Sequence, residues 1–220
     1  MLYCVLMCGG KGTRIKSVLD LKMEKPLILL KNKPLIEYLI KTLIQTNKFE
    51  RIFAAVSNNT IKTQEFIKSH FQNKITLLET SGREYSEDYL NIINFFKEFR
   101  YKKNKDIKKI LFLPIDIPLI LPSILTQIIN TNQEKPCLTI ILEKEFIENL
   151  GIIPSYEFTI NKKNYCYSGI SVVDISQVEL GNTKKNSLID EDYIILNRSE
   201  IACNINTLKD LKIAEKFLEF

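Results

Sequence analysis

The chain has 220 residues, 45% hydrophobic and 26% charged, the balance of an ordinary globular α/β unit and not of a disordered or low-complexity chain. Its net charge of +5 comes from lysines spread along the whole length, so no basic stripe marks a nucleic-acid reader. Five scattered cysteines without a CxxC pair exclude a disulfide framework and a structural zinc site, and predict a reducing, cytoplasmic setting.

The apolar run Leu2 to Met7 predicts a strand buried on both faces of a parallel sheet, entered at once with no cleaved leader before it. Cys4 and Cys8 read as small buried hydrophobes there. The loop Gly9-Gly10-Lys11-Gly12-Thr13-Arg14 follows. Pro34 opens a helix from Leu35 to Thr46, and Arg51 to Val56 is the next strand. Asn58 or Asn59 is expected to cap a helix running to about Phe71.

Ile75 to Leu78 predicts a strand leading into the loop Glu79 to Gly82, and Glu84 to Phe99 a helix with Tyr85, Tyr89, Ile92, Ile93 and Phe96 on one side. Ile107 to Leu113 predicts a strand ending in Pro114-Ile115-Asp116. Asp116 and three prolines within Ile110 to Leu125 exclude a membrane span there. A helix over Pro122 to Asn130 and a strand over Cys137 to Leu142 come next. Glu157 to Ile160 and Tyr165 to Val173 then read as an antiparallel hairpin. Asn182 to Asn197 has no clear period, Ile201 to Ile205 reads as a last strand, and Thr207 caps a final amphipathic helix. The alternation predicts one domain, residues 1–220. It is an α/β fold whose mainly parallel sheet carries helices on both faces and a small antiparallel insertion. Ligands in such sheets bind beyond the carboxyl ends of the strands.

Three of the seven glycines fall within four residues of the loop, where a tight backbone can turn several N–H groups toward phosphate oxygens. Lys11 and Arg14 add charge, and Arg14 can fork onto a phosphate. The spacing fits neither a Walker A motif nor the dinucleotide fingerprint, since position 15 is Ile. In Glu24-Lys25-Pro26, the proline favours an extended Lys25 whose ammonium could neutralise a leaving pyrophosphate. Asp116, between Pro114 and Pro118 at a strand end, suits a hard cation such as Mg²⁺, with a helix cap as the competing reading. Asn206 could add a neutral oxygen to the same metal. His70, the single histidine, sits mid-helix, so Ser-His-Asp and Cys-His catalysis have no support. Loop, cations and carboxylate together suit phosphoryl or nucleotidyl transfer.

The glycine loop followed by Glu24-Lys25-Pro26-Leu27 resembles the signature of the nucleotidyltransferases that act on sugar phosphates and cofactors, single-domain proteins with a Rossmann-like fold. Thr80-Ser81-Gly82 with Tyr85 and Asp88, Gly169 to Val173, and Asn204 to Thr207 leading into Leu208-Lys209-Asp210-Leu211 narrow the resemblance to archaeal adenosylcobinamide-phosphate guanylyltransferases. The resemblance implies transfer of GMP from GTP to adenosylcobinamide phosphate with Mg²⁺ as cofactor. Its partners are GTP and a corrinoid phosphate, with no nucleic acid and no membrane insertion; a homodimer is left open. Carried over, Cys8, Gly9, Gly10, Lys11, Gly12, Thr13 and Arg14 would hold the triphosphate. Lys25, Arg14 and Asp116 would act at the exchanging phosphates, and Asp116 and Asn206 would lie at the metal. Thr80, Ser81 and Gly82 would lie at the base, Asp88 would accept guanine N1–H and N2–H₂, and Gly169 would admit a ligand closely. Asn182 to Glu191 departs from the family pattern as an insertion. The Leu-Pro-Ile-Asp-Ile-Pro context of Asp116 also fits molybdenum-cofactor guanylyltransferases and cytidylyltransferases. A GTP-binding module without catalysis is the reading from another class.

Overall fold

The computed structural model describes residues 1–13, 23–103, 106–178 and 189–218, the side chains of 102 and 103 excepted. Ten strands run in the order β1 Leu2–Met7, β2 Leu29–Leu30, β3 Lys33–Pro34, β4 Arg51–Val56 and β5 Ile75–Glu79, then β6 Lys109–Pro114, β7 Cys137–Glu143, β8 Glu157–Ile160, β9 Lys163–Asp174 and β10 Glu191–Ile195. Between and after them lie helices α1 Leu35–Thr46, α2 Ile61–Phe71, α3 Tyr85–Lys103, α4 Pro122–Asn130, α5 Lys144–Asn149, α6 Ser199–Ala202 and α7 Leu208–Phe217. The main sheet has the order β10-β7-β9-β6-β1-β4-β5, with β8 paired to β9. β6, β1, β4 and β5 are parallel neighbours, while β9 runs antiparallel between β6 and β7.

The apolar run of β1 is buried on both faces, as its lack of alternation predicts. Cys4 and Leu6 enter one core with Leu35, Leu39 and Leu43 of α1 and Ile124, Leu125 and Ile128 of α4. Tyr3 and Val5 enter the other, with Ile92, Ile93 and Phe96 of α3. On that second face the Tyr3, Phe53 and Phe96 rings lie 5.0–5.7 Å apart, in the range of favourable edge and tilted contacts. The register pairs Met7 with Ala55 and with Pro114, and Val56 with Glu79. Residues 8–13, 57–60, 80–84 and 115–116 therefore leave the sheet along one edge, and that edge carries the site.

Three expectations are corrected. Ile201 to Ile205 is not a strand: α6 ends at Ala202, and the Ile205 N–H bonds the Asp116 carbonyl at 2.7 Å, outside any ladder. A short apolar run cannot by itself distinguish strand from helix. Neither Asn58 nor Asn59 caps α2: Thr60 occupies the cap position without a side-chain bond, and a distant carboxylate does the work. Lys25 is not extended; it opens a single 3-10 turn over Lys25–Leu27, and the extended residue is Glu24 (φ −73°, ψ 140°). The Leu27 N–H closes that turn onto the Glu24 carbonyl at 2.9 Å. In the segment without a clear period, Glu191–Ile195 is an edge strand parallel to β7, and residues 179–188 lie outside the described residues.

All five cysteines are free and buried. Burial raises each thiol above its ordinary value near 9, Cys203 to about 12. At pH 8 a soluble aromatic disulfide should therefore titrate almost no thiol in the folded protein and all five in urea; rapid labelling of the folded chain would contradict their burial. The unfolded thiols lose protons first, so the unfolded chain binds fewer protons above about pH 9 and stability falls as pH rises through that value. Urea midpoints at pH 7 and pH 10 check this sign.

Candidate active site

The glycine loop leaves β1 with Cys8 and Gly9 buried and Gly10, Lys11 and Thr13 exposed. The Cys8 N–H continues the ladder to the Ala55 carbonyl at 2.9 Å, and its thiol lies in the core, so only its backbone is available to the loop. Gly12 has φ +62°, a left-handed conformation that glycine adopts without strain. The Gly9 carbonyl accepts Ser57 Oγ at 2.7 Å and Asn59 Nδ2 at 3.3 Å. Among the described residues the backbone N–H groups of residues 10–13 meet no acceptor, as a phosphate cradle requires. Arg14 lies outside the described residues.

A second loop, Thr80 to Gly82, is tied to the first. Asn59 Nδ2 donates to the Gly82 carbonyl at 2.9 Å as well as to Gly9, and Thr80 Oγ1 donates to the Val56 carbonyl at 3.2 Å. A Cβ at Gly9 would meet Thr80 Oγ1 at 2.9 Å. Gly82 has φ +63°, and a Cβ there would collide with Ser57 Oγ and Asn59 Nδ2. Both glycines are required where the two loops close on each other.

Asp88 is 5% exposed. Its carboxylate accepts Ser81 N and Ser81 Oγ, each at 2.9 Å, and Gly82 N at 3.0 Å. Asp88, which the resemblance places at guanine, thus also braces the loop: an acid in the first turn of α3 reaches back to the N–H groups before the helix. Gly169 has a φ of +81°, and an added Cβ would lie 3.1 Å from Pro114 Cγ, so the fold itself favours glycine there. Tyr85 Oη donates to its carbonyl at 3.4 Å.

The charged centre joins three distant segments. Lys25 Nζ donates to Asp116 Oδ2 at 2.7 Å and to Asn206 Oδ1 at 3.0 Å, and the Lys25 and Asp116 side chains are only 11% and 15% exposed. Asp116 Oδ1 is buried with no partner among the described residues. Each member is held from outside. Asn206 N donates to Asp210 Oδ2 at 3.0 Å, within the Thr207–Asp210 capping box that starts α7. Glu24, before Lys25, accepts Lys62 N at 2.9 Å and Thr63 N at 2.7 Å, so it caps α2 and pins the lysine's turn at once. Replacing Glu24 with alanine should cost about 1–3 kcal/mol, since the buried Thr63 N–H and the part-buried Lys62 N–H lose their acceptor. Urea unfolding would read this, and an unchanged midpoint would remove the capping role.

An orphaned carboxylate oxygen beside an amide oxygen is a donor set for a hard cation. Among the described residues no group of three His, Cys, Asp or Glu could hold a metal. The pair fits an ion such as Mg²⁺ that keeps waters and takes phosphate oxygens as its other ligands. Ser57, Asn59 and the capping role of Glu24 escape a reading of the sequence, because their partners lie 38–50 residues away.

A family model described as the MobA-like NTP transferase domain matches residues 4–158, which hold the glycine loop, Lys25, the Thr80–Gly82 loop and Asp116. The chain belongs to the MobA-like NTP transferases. It is 31% identical over 98% of its length to an adenosylcobinamide-phosphate guanylyltransferase of Methanocaldococcus jannaschii, covering 96% of that protein. It is 22% identical over 97% of its length to a ribitol-5-phosphate cytidylyltransferase of Lactiplantibacillus plantarum, covering 88% of it. Among solved structures, a 4-diphosphocytidyl-2C-methyl-D-erythritol synthase from Anaerococcus prevotii superposes with a TM-score of 0.65 at 10% identity, over 100% of this chain and 99% of that one. A hypothetical transferase from Thermus thermophilus does so at 0.67 and 10% identity, over 95% of this chain and 98% of that one. The superpositions place this MobA-like chain in the nucleotidyltransferase fold. As in the sequence expectation, no described helix is long and apolar enough to cross a membrane.

Proposed function

We propose that this nucleotidyltransferase moves GMP from GTP to the phosphate of adenosylcobinamide phosphate, giving adenosylcobinamide-GDP and pyrophosphate. The near full-length identity of 31% to a guanylyltransferase of that acceptor is the observation that carries the reading. An acceptor phosphate oxygen bonds to the α-phosphorus as the bond from that phosphorus to the bridging oxygen breaks, and the electron pair leaves with pyrophosphate. The loop N–H groups of residues 10–13, with Lys11 and Arg14, hold the β- and γ-phosphates. Lys25 sets a fixed positive charge beside the exchanging oxygens, where preorganised charge lowers a barrier most. Asp116 and Asn206 would hold Mg²⁺, which neutralises phosphate charge and orients the α-phosphate when bound. Base choice falls to the Thr80–Gly82 loop that Asp88 and Asn59 hold in place.

The test is transfer from α-labelled GTP or CTP, with Mg²⁺, to cobinamide phosphate and to ribitol 5-phosphate. GMP transfer to cobinamide phosphate is the expected product. CMP transfer to ribitol 5-phosphate alone would replace this reading with that of the cytidylyltransferase relative. Tight GTP binding without pyrophosphate release would replace it with that of a binding module.

A further inference from the structure

The start of α2 is capped in an unusual way. Thr60 holds the cap position, but its hydroxyl is engaged inside the preceding turn, accepting the Ser57 N–H at 3.0 Å and donating to the Ser57 carbonyl at 3.2 Å. The acceptor for the first N–H groups of the helix is Glu24, 38 residues before the first of them. Its carboxylate takes Lys62 N at 2.9 Å, Thr63 N at 2.7 Å and Thr63 Oγ1 at 2.6 Å. The residue is 8% exposed, and these uncharged donors lie at a helix end where aligned peptide dipoles favour an anion. An aspartate or serine at position 60 with its side chain free would cap α2 as well. What a local cap cannot do is fix the distance from α2 to the segment that carries Lys25.

The same helix end holds both nucleotide loops. Ser57 Oγ donates to the Gly9 carbonyl at 2.7 Å, and Asn59 Nδ2 reaches the Gly9 carbonyl at 3.3 Å and the Gly82 carbonyl at 2.9 Å. Gln64 Nε2, in the first turn of α2, donates to the Ser57 carbonyl at 3.0 Å, so the clamp on the loops and the helix form one unit. On the other side, the Glu24 carbonyl accepts Leu27 N at 2.9 Å and closes the turn from which Lys25 projects. A continuous line of hydrogen and peptide bonds therefore runs from Gly9 and Gly82, through Ser57 and Asn59, to Thr63, Glu24 and Lys25.

We propose that the first turn of α2 is a bracket between the nucleotide loops and Lys25, with Glu24 as its positioning residue. Glu24 touches no reacting atom. Its carboxylate sets where the Lys25 ammonium stands relative to phosphates seated on the glycine loop, a placement for which an error of about 1 Å costs roughly 100-fold in rate. The loops are joined to each other through Ser57 and Asn59 without Glu24, so releasing the bracket frees the lysine and leaves the nucleotide's seat in place. The inference rests on nucleotidyl transfer with Lys25 at the phosphates, and on no particular base or acceptor.

The test is a double-mutant cycle on the full chain with Glu24→Gln, Lys25→Ala and the pair. Thr63→Val loosens the bracket from its other side without touching the lysine's segment, and carries the same cycle if Glu24→Gln melts below the assay temperature. Turnover is read as pyrophosphate release with Mg²⁺ and the nucleotide and acceptor that wild type uses, at a temperature where melting shows the variants folded. Glu24→Gln should lower kcat by about 10- to 100-fold and Thr63→Val by about threefold, while nucleotide affinity changes less than about threefold. In the Lys25→Ala background both losses should shrink to within about twofold, because no ammonium remains to be placed. Equal fractional losses with and without Lys25, or an unchanged kcat in folded Glu24→Gln, would overturn the bracket and leave Glu24 a helix cap. Losses in nucleotide affinity as large as those in kcat would overturn it too. Wild type that releases no pyrophosphate, or Lys25→Ala as fast as wild type, sinks the reading of Lys25 itself and the bracket with it.

Discussion

Lys25→Ala should lower kcat by about 100- to 1000-fold, the usual loss when one preorganised charge is removed from a transition state, while GTP affinity changes far less. The reason lies in how the ammonium is held. It stands 2.7 Å from Asp116 Oδ2 and 3.0 Å from Asn206 Oδ1, on a turn fixed by Pro26 and by the cap that Glu24 places on α2. A cation fixed in this way costs little reorganisation when charge moves to the leaving oxygen. In the proposed function the triphosphate has its own cradle in the glycine loop, so ground-state binding should not depend on Lys25. Single-turnover rates and equilibrium GTP binding separate the two effects. Equal losses in both would make Lys25 a binding residue, and an unchanged rate would take it out of the site. Lys25→Arg should recover little, because a planar fork cannot replace a point charge between two oxygens at these distances.

Much of this site was legible in the residues, for reasons that differ along the chain. The β1 run and the three glycines are local signals: burial on both faces needs unbroken apolar residues, and a backbone cradle needs positions without a Cβ. Asp116 is visible because an acid at the end of an apolar strand between two prolines calls for an explanation. Asn206 has no such local mark. It enters by family resemblance, and the structure supplies the physical reason, a capping box behind it and the Ile205 N–H bound to the Asp116 carbonyl. Asp88 and Gly169 are readable as special positions, and the fold adds a local duty to each. An acid that braces a loop and an acid that reads a base share one sequence, as do a glycine admitting a ligand and one admitting Pro114. Ser57 and Asn59 join loops more than twenty residues apart, and only the fold makes them neighbours. The edge strand β10 was missed because Tyr193 and Ile195 are exposed on an acidic strand, so no buried face imposed a period.

Asp116→Ala should cost about as much in kcat/KM as the loss of Lys25 and, unlike it, should change the response to metal. The carboxylate has two separate duties. Oδ2 holds the Lys25 ammonium, and Oδ1 is buried with no partner among the described residues. An unpaired anionic oxygen taken out of water costs several kcal/mol, which a bound cation would return. Removing the carboxylate leaves Asn206 as one neutral oxygen, too weak alone to hold Mg²⁺ against water. The Mg²⁺ concentration for half-maximal rate should therefore rise, and Mn²⁺ binding to the protein, read by electron paramagnetic resonance with a non-hydrolysable GTP analogue present, should weaken. Asp116→Asn separates the duties. It keeps an oxygen near Lys25 without the charge, so the turn should stay in place by thermal melting while metal binding still weakens. If Asp116→Asn bound Mn²⁺ as wild type does, the carboxylate would be only the anchor of Lys25, and the metal would have to be placed elsewhere along the strand ends.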